Sequence, residues 1–552
     1  MVSGGVFDYS THEEDGPVTW EVLASPRHIP VLRRAGESSP THGTLRVHVS
    51  SAHEAQNKHP HRGRPGARGT GAMANGGRES EGCIGAMTLG NEVALGPSRA
   101  KACPCRCELQ EGTMANALTL GDMSPELLKV VDRAKREPEG RFHSLAHLID
   151  VPALERAYHR QRSNAAVGVD GVTKEQYGQN LEANLQDLHA RLKAKQYRHQ
   201  PIRRVHIPKA QGQTRPIGVS AFEDKLIQDA VREVLGAIYE QDFLDCSHGS
   251  RPKRSAHDAV RALNRVVDQG KVSWIFEADL VSFFDSLDRT ELKRMLEVRV
   301  ADGSLLRLIG KCLHVGVLDG EVFVEPQLGT VQGSVLSPLL GNLYLHYVLD
   351  LWFETEVKPR LRGRATLIRY CDDFIIGFEH EDDARRVMAV LEKRLGRFGL
   401  TLHPDKTRLL PFRRPPKTQQ GGKGPATFDF VGFTFYWRRT RGGHWRMWCK
   451  TRRASLRRAK MSIYEWCRRH RHLSIQAQHA ALYRRLQGHF NYFGVSGNYH
   501  SMMLLVEATK RAWYKWLCRR SQRQRLTWER FTEMLRWWPL PRPRITVRIW
   551  GR

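Results

Sequence analysis

Two aspartates stand side by side at Asp372 and Asp373, between an apolar arm that ends at Tyr370 and another that runs from Phe374 to Phe378. Two apolar arms meeting at a short polar junction read as a β-hairpin. Adjacent carboxylates at a tight turn repel each other unless a cation neutralises them, and a divalent metal does this directly. Turn chemistry, in which Asp bonds its own backbone, is the alternative. A second acidic strand end decides between them: the largely apolar stretch from Trp274 closes on Asp279, just ahead of the aromatic pair Phe283 and Phe284. Carboxylates from two neighbouring strands can hold two hard cations about 3.5–4 Å apart, one activating a 3′-hydroxyl and one stabilising pyrophosphate as it leaves. That is nucleotidyl transfer, and oxygen-only ligation without His or Cys suits Mg2+.

The elements that must carry these residues are partly legible. From Ser273 to Phe435 short apolar strands alternate with helices, which predicts a mixed sheet covered on one face. Before it, Ser124 to Arg136, Ala153 to Arg162, Thr173 to Lys195 and Ser220 to Leu235 carry apolar residues at helical spacing. Between these helices the stretch from Arg203 to Ile217 alternates and turns at Gly212, predicting a hairpin with basic residues near its tip. After Arg438 the pattern reads as helical again, with arginines and aromatics interleaved. Met1 to about Gly112 is rich in Gly, Ser, His, Arg and Pro with no sustained apolar period, so disorder is expected there. Met114 is a candidate start. The divisions are therefore 1–113 as a low-complexity segment, then 114–272, 273–437 and 438–552.

The chain of 552 residues carries a formal net charge of +29, an excess best matched by a polyanion. Arg438 to Arg552 holds 28 Lys and Arg against 4 Glu and no Asp, so 24 of that excess sits in the last segment. A polypeptide that grips a phosphate backbone has this asymmetry. No run of about 18 apolar residues offers a membrane span, and no signal-peptide order opens the chain, so a cytosolic location is expected. The cysteines are scattered. Cys103, Cys105 and Cys107 lack partners for a tetrahedral zinc site, and reduced thiols without zinc are expected.

In order along the chain, Asn164 to Thr173, Ile207 to Lys209 with Arg215 to Gly218, Ser247 to Pro252, Gly329 to Asn342, Tyr370 to Asp373, Gly399 to Thr407 and Phe430 to Phe433 resemble the consecutive blocks of reverse transcriptases. The likeness is close to the group II intron-encoded reverse transcriptase–maturases, in their bacterial form. It implies an α+β right-hand polymerase, with fingers and palm built from a mixed sheet plus helices. An all-α thumb or maturase domain would follow. It also implies that Asp279, Asp372 and Asp373 are catalytic and, with Leu280, ligate two Mg2+ ions. Phe284 would be the gate that excludes a 2′-hydroxyl. Lys209 and Arg215 would meet the triphosphate, Gln332 the template–nucleotide pair, and Lys406 would supply a proton to pyrophosphate. Three positions depart from the family pattern: Cys371 for Ala, Val331 for Pro and Ser250 for Phe. None removes a charge or a metal ligand.

Leu486 to Gly494 and the end from Trp538 to Ile545 resemble the thumb of the same family. Arg457, Arg458, Arg468, Arg469, Arg484, Arg485, Arg519 and Arg520 are the expected RNA contacts. Tyr483, Phe490, Tyr492 and Trp513 either stack on bases or form the domain's own core. Cys449, Cys467 and Cys518 are too widely spaced for the zinc-bearing nuclease module of some relatives, so priming from existing 3′ ends is expected. The implied partners are intron RNA as template, a DNA primer or target, and deoxynucleoside triphosphates. No membrane is implied, and the oligomeric state is left open, a dimer included. A reverse transcriptase without an intron, and a splicing factor that has lost polymerase activity, are the alternatives.

Overall fold

The computed structural model describes residues 123–208, 214–269, 271–320, 322–324, 329–330, 332–416, 426–520 and 526–550. The expectations for residues 1–113, Lys209, Gly212, Val331 and the Cys103 cluster lie outside these. Helix α1 (Pro125–Arg136) starts at Ser124, whose hydroxyl accepts from the Leu127 amide. Helix α2 (Val151–Arg160) starts at Asp150, which caps it through Ala153 N at 2.8 Å. The single helix expected over Thr173 to Lys195 is instead two, α3 (Lys174–Gly178) and α4 (Leu181–Lys193). Across the break Asn184 Nδ2 donates to the Tyr177 carbonyl at 2.9 Å, satisfying an acceptor at the end of α3.

Strands β1 (Ile202–Pro208) and β2 (Thr214–Val219) pair antiparallel as the predicted hairpin. Helix α5 (Phe222–Asp242) follows and is buried over most of its length, including Asp229 and Glu233. Those carboxylates are matched by Arg160 at 2.6 and 3.0 Å and by Arg156 at 3.0 Å. Such ion pairs satisfy buried charge rather than add much stability. Next come α6 (Ala256–Asp268), β3 (Trp274–Asp279), α7 (Phe283–Ser286), α8 (Arg289–Arg299), α9 (Gly303–Leu313), β4 (Val317–Asp319) and β5 (Val322–Val324). After these run α10 (Ser337–Leu345), β6 (Ala365–Tyr370), β7 (Asp373–Phe378), α11 (Glu381–Arg397) and β8 (Arg408–Pro411). Two π-helical turns, His346–Asp350 and Phe353–Val357, continue α10.

The central sheet has the order β6-β7-β3-β8 and its pairs are all antiparallel. The mixed sheet is a different one, β2-β1-β4-β5, in which β1 and β4 run parallel. The expectation of one covered face is also corrected. Phe276, Ala278, Phe374, Ile376 and Leu367 face the core built on α5 and α8 to α11, whereas Ile275, Ile368 and Ile375 face a second core toward the C-terminal segment. Burial on both faces is why these strands read as continuous apolar runs rather than as alternation.

The helical reading from Arg438 starts too early. Strand β9 (Phe428–Phe430), β10 (Phe433–Arg439) and β11 (Trp445–Thr451) form an antiparallel sheet across that position. Only then follow α12 (Arg453–Arg469), α13 (Ile475–Phe493), α14 (Tyr499–Leu517) and α15 (Trp528–Trp537). Phe490, Tyr492 and Trp513 are buried in the second core, and Tyr483 is exposed. Six cysteines among the described residues are free thiols. Among the described residues no helix is long and apolar enough to cross a membrane.

Candidate active site

Strand β3 ends at Asp279, which is register partner to Asp373 at the start of β7. Facing like charges destabilise an antiparallel pair, so this placement calls for a cation. The Lys406 ammonium answers it, in a close ion pair with the buried Asp279 carboxylate. Asp372 lies between β6 and β7 in the two-residue turn with Cys371, whose φ is 57°. A left-handed φ at a non-glycine costs about 1–3 kcal/mol and persists only where its surroundings hold it.

Those surroundings were not anticipated. Arg369 is fully buried and donates to the Cys371 carbonyl at 3.0 Å, to Asn342 Oδ1 at 2.9 Å and to Ser247 Oγ at 2.7 Å. Both oxygens of the equally buried Asp350 receive it as well, at 2.7 and 2.5 Å. Asp350 ends the first π-helical turn, where the widened helix delivers its side chain to the strand. A guanidinium inside an otherwise apolar strand was the available sequence signal. A Cβ on Gly249 would stand 2.4 Å from the Cys371 amide, so this backbone closes over the turn from the other side. Two of the three departures from the family pattern meet here: Ser250 Oγ lies 3.3 Å from Cys371 Sγ.

Asp279 and Asp373 line a cavity of about 210 Å³ together with Asp405, Lys406, Glu277 and Asp429. Glu277 is paired with Arg408 at 2.6 Å and Asp429 with Arg452 at 2.9 Å. Burial raises the Glu277 carboxyl above its ordinary value against the pull of Arg408. Among the described residues no group of three or more His, Cys, Asp or Glu converges as a closed metal cage. The donors that the sheet does bring to one end are hard oxygens, which fits Mg2+, an ion that keeps several waters instead of a full protein cage. Leu280 bridges Leu402 through Val281 N to Thr401 O and His403 N to Asp279 O, bonds that leave the Leu280 carbonyl out of the ladder.

Phe284 follows on α7, half-buried and packed beside the buried Phe283 against the core. The Phe284 carbonyl accepts from Thr330 N at 2.7 Å, which ties the 329–336 segment to it. In that segment Gln332 accepts from Arg215 Nε at 2.5 Å and its carbonyl accepts from Gly218 N at 2.8 Å. Gly333 sits at φ 112°, where a Cβ would be 2.4 Å from the Gly218 carbonyl. Arg204 and Arg215 both pull down the Asp285 carboxyl, although its removal from water is the larger effect and raises it. Arg215, Gln332, Phe284 and Asp285 therefore share one neighbourhood.

The predicted RNA contacts are dispersed over the C-terminal helices. Arg468, Arg469 and Arg519 converge with Arg471 and Trp516 around a cleft of about 440 Å³. Arg485 instead packs over the Trp466 ring at 5.3 Å. Arg457, Arg458 and Arg484 are exposed on α12 and α13, and Arg520 is exposed after α14.

Residues 207–435 match the family described as reverse transcriptase (RNA-dependent DNA polymerase). The protein YkfC of Escherichia coli K12 is 32% identical over 358 residues, 58% of this chain and 90% of that one. The group II intron-encoded protein LtrA of Lactococcus lactis subsp. cremoris is 34% identical over 249 residues, 43% of this chain and 41% of that one. Nuclear intron maturase 4, mitochondrial, of Arabidopsis thaliana is 30% identical over 122 residues, 22% of this chain and 15% of that one. The match thus spans less than half of the length of LtrA. The family match at 207–435 takes in β3, β6, β7 and β8, the strands that carry the carboxylates. The chain belongs to the reverse transcriptase family.

Proposed function

We propose that this chain is an RNA-directed DNA polymerase that also binds a group II intron RNA as a maturase, in the cytosol of a bacterium. The observation that carries the polymerase reading is the pairing of Asp279 with Asp373 across antiparallel strands, with Asp372 in the adjoining turn. Asp279, Asp372, Asp373 and the Leu280 carbonyl would hold two Mg2+ ions. When bound, these would activate the primer 3′-hydroxyl and neutralise the leaving pyrophosphate. Every other part of the site is protein. Arg215 and, outside the described residues, Lys209 bind the triphosphate as fixed charges. Gln332, held by Arg215 and Gly218, orients the template–nucleotide pair. The Phe284 ring takes the space that a 2′-hydroxyl would need. Lys406, kept at the site by Asp279, is the proton source assigned to pyrophosphate.

In this reading the central sheet is the palm, the β1–β2 hairpin belongs to the fingers, and α12 to α15 form the thumb. The maturase reading rests on the net positive charge of the C-terminal segment and on the names of the relatives. Extension of a DNA primer on an RNA template, with deoxy- or ribonucleotides supplied separately and Mg2+ present or withheld, tests the proposal. Incorporation of deoxynucleotides alone, dependent on Mg2+, is the expected result. No extension by folded protein would leave RNA binding as the sole activity.

A further inference from the structure

A second concavity, of about 470 Å³, opens between α4, the turn at Ala146–Leu148 and α9, and none of its lining residues belongs to the carboxylate cavity. Its apolar wall includes Leu192 and Leu308, and its rim carries Lys193, Lys195, Arg307 and Lys311. Against these four cations stands one carboxylate, Asp150, which is already committed to capping α2. Like charges gathered round a concave apolar wall repel unless an anion joins them. The backbone adds an independent sign. Lys195 lies at φ 60°, its amide bonded to the Leu192 carbonyl at 3.0 Å, in the position after a helix where glycine is the usual residue. A side chain kept at such a place at a cost in backbone strain suggests that the side chain is used.

We propose that this cleft binds a phosphorylated nucleoside, either free or as an unpaired nucleotide of an RNA. The ring would lie against Leu192 and Leu308, and the phosphate would meet Arg307, Lys311, Lys193 at the end of α4 and Lys195 just beyond it. The volume is that of a pocket for a small organic ligand, and a bare phosphate would leave the apolar wall unused. Charge and wall together favour a ligand that has both a ring and a phosphate. The site stands apart from the polymerase reading and does not depend on it.

The test is equilibrium binding of adenosine monophosphate, and separately of a short single-stranded RNA, to the full chain in EDTA. Wild type is compared with Arg307→Glu plus Lys311→Glu, with Leu308→Arg, and with Arg385→Ala, exposed on α11, as a control outside both the cleft and the carboxylate site. The expected result is saturable binding that both cleft variants weaken by about tenfold or more, with Arg385→Ala unchanged. Monophosphate binding that the cleft variants weaken assigns the free nucleotide; RNA binding that the same variants weaken, without monophosphate binding, assigns the unpaired nucleotide. RNA binding that they leave unchanged belongs to the C-terminal arginines and, without monophosphate binding, overturns the proposal. Cations that only offset the helix ends would lower the melting temperature when replaced and leave both affinities as they were, which would overturn the proposal. Photo-crosslinking of wild type with an azido derivative of adenosine monophosphate decides the matter even if a variant misfolds. Labelled peptides from α4 or α9 are expected, and labelling confined to other peptides overturns the site.

Discussion

Opposed carboxylates on paired strands are tolerable only with positive charge between them, and the site at Asp279 and Asp373 is built round that demand. On the proposed roles, in which these residues position metal and the arginines hold RNA, replacing Asp372 and Asp373 together by Ala should reduce DNA synthesis below detection while RNA affinity changes by less than about threefold. Equal loss in extension and RNA-binding assays would make the aspartates a structural turn. The turn's own support is Arg369. Its replacement by Ala strands the fully buried Asp350 without a counter-charge and should cost about 3–5 kcal/mol in urea unfolding. The same variant paired with Asp350→Leu should recover part of that loss, because no buried charge is then left alone. A single-variant cost below about 1 kcal/mol would mean that the guanidinium does not hold the turn. Carboxylates were legible because their types declare their chemistry. Arg369 was not, because its partners Asn342, Asp350 and Ser247 are distant in the chain and only the fold assembles them.

Elements were legible where local pattern and tertiary environment agree. The β6–β7 hairpin and the β1–β2 hairpin stand where the apolar arms and alternation place them. The β10–β11 hairpin carried its own signal: Phe433, Phe435 and Trp437 on one strand and Trp445, Met447 and Cys449 on the other alternate inward, with Gly442 and Gly443 between them. The arginines at Arg438, Arg439, Arg441 and Arg446 masked it, since the same composition continues into true helices. The π-helical turns after α10 could not be read at all, because a widened turn is set by what its side chains reach, here Arg369. A close backbone approach at Gly333 gives an element-scale prediction. Gly333→Ala would force a Cβ into the Gly218 carbonyl and strain a φ of 112°. A loss of about 1–3 kcal/mol in stability is expected. Steady-state extension should in addition show a raised KM for deoxynucleotides, as Gln332 and Arg215 part. An unaltered KM would separate the Gln332 segment from nucleotide binding.

At the scale of the whole molecule, two charge distributions have consequences that can be measured. His248, His346 and His489 are buried in three different places, and desolvation lowers each imidazole to about 4. Unfolding restores their ordinary value near 6.5, so the unfolded chain takes up protons as pH falls from about 6.5 to about 4, and stability is lost across that window. Asp242, raised to about 6, acts in the opposite direction over most of the same range, and the Glu240, Glu277 and Asp285 carboxyls, raised by burial, act with it. The histidine contribution is therefore read by difference: between pH 6.5 and 4.5 the melting temperature of His346→Gln should fall less, or rise more, than that of wild type, and an identical pH dependence in the two proteins would contradict the assignment. The second distribution is the excess of 24 positive charges from Arg438 onward, out of +29 in all. If that surface grips RNA by its phosphates, each contact releases counterions. The logarithm of affinity should then fall linearly with the logarithm of salt, with a slope of about −0.7 to −0.9 per phosphate. For six to ten contacts this is a loss of about a thousandfold or more between 50 and 200 mM salt. Replacing Arg468, Arg469 and Arg519 by Ala removes three cations from one cleft and should make the slope shallower by about 2 to 3. The Asp372→Ala and Asp373→Ala pair should leave it unaltered. A slope that stays steep in the arginine variant would move the RNA to another face, and a flat response in wild type would remove the electrostatic basis for the maturase reading.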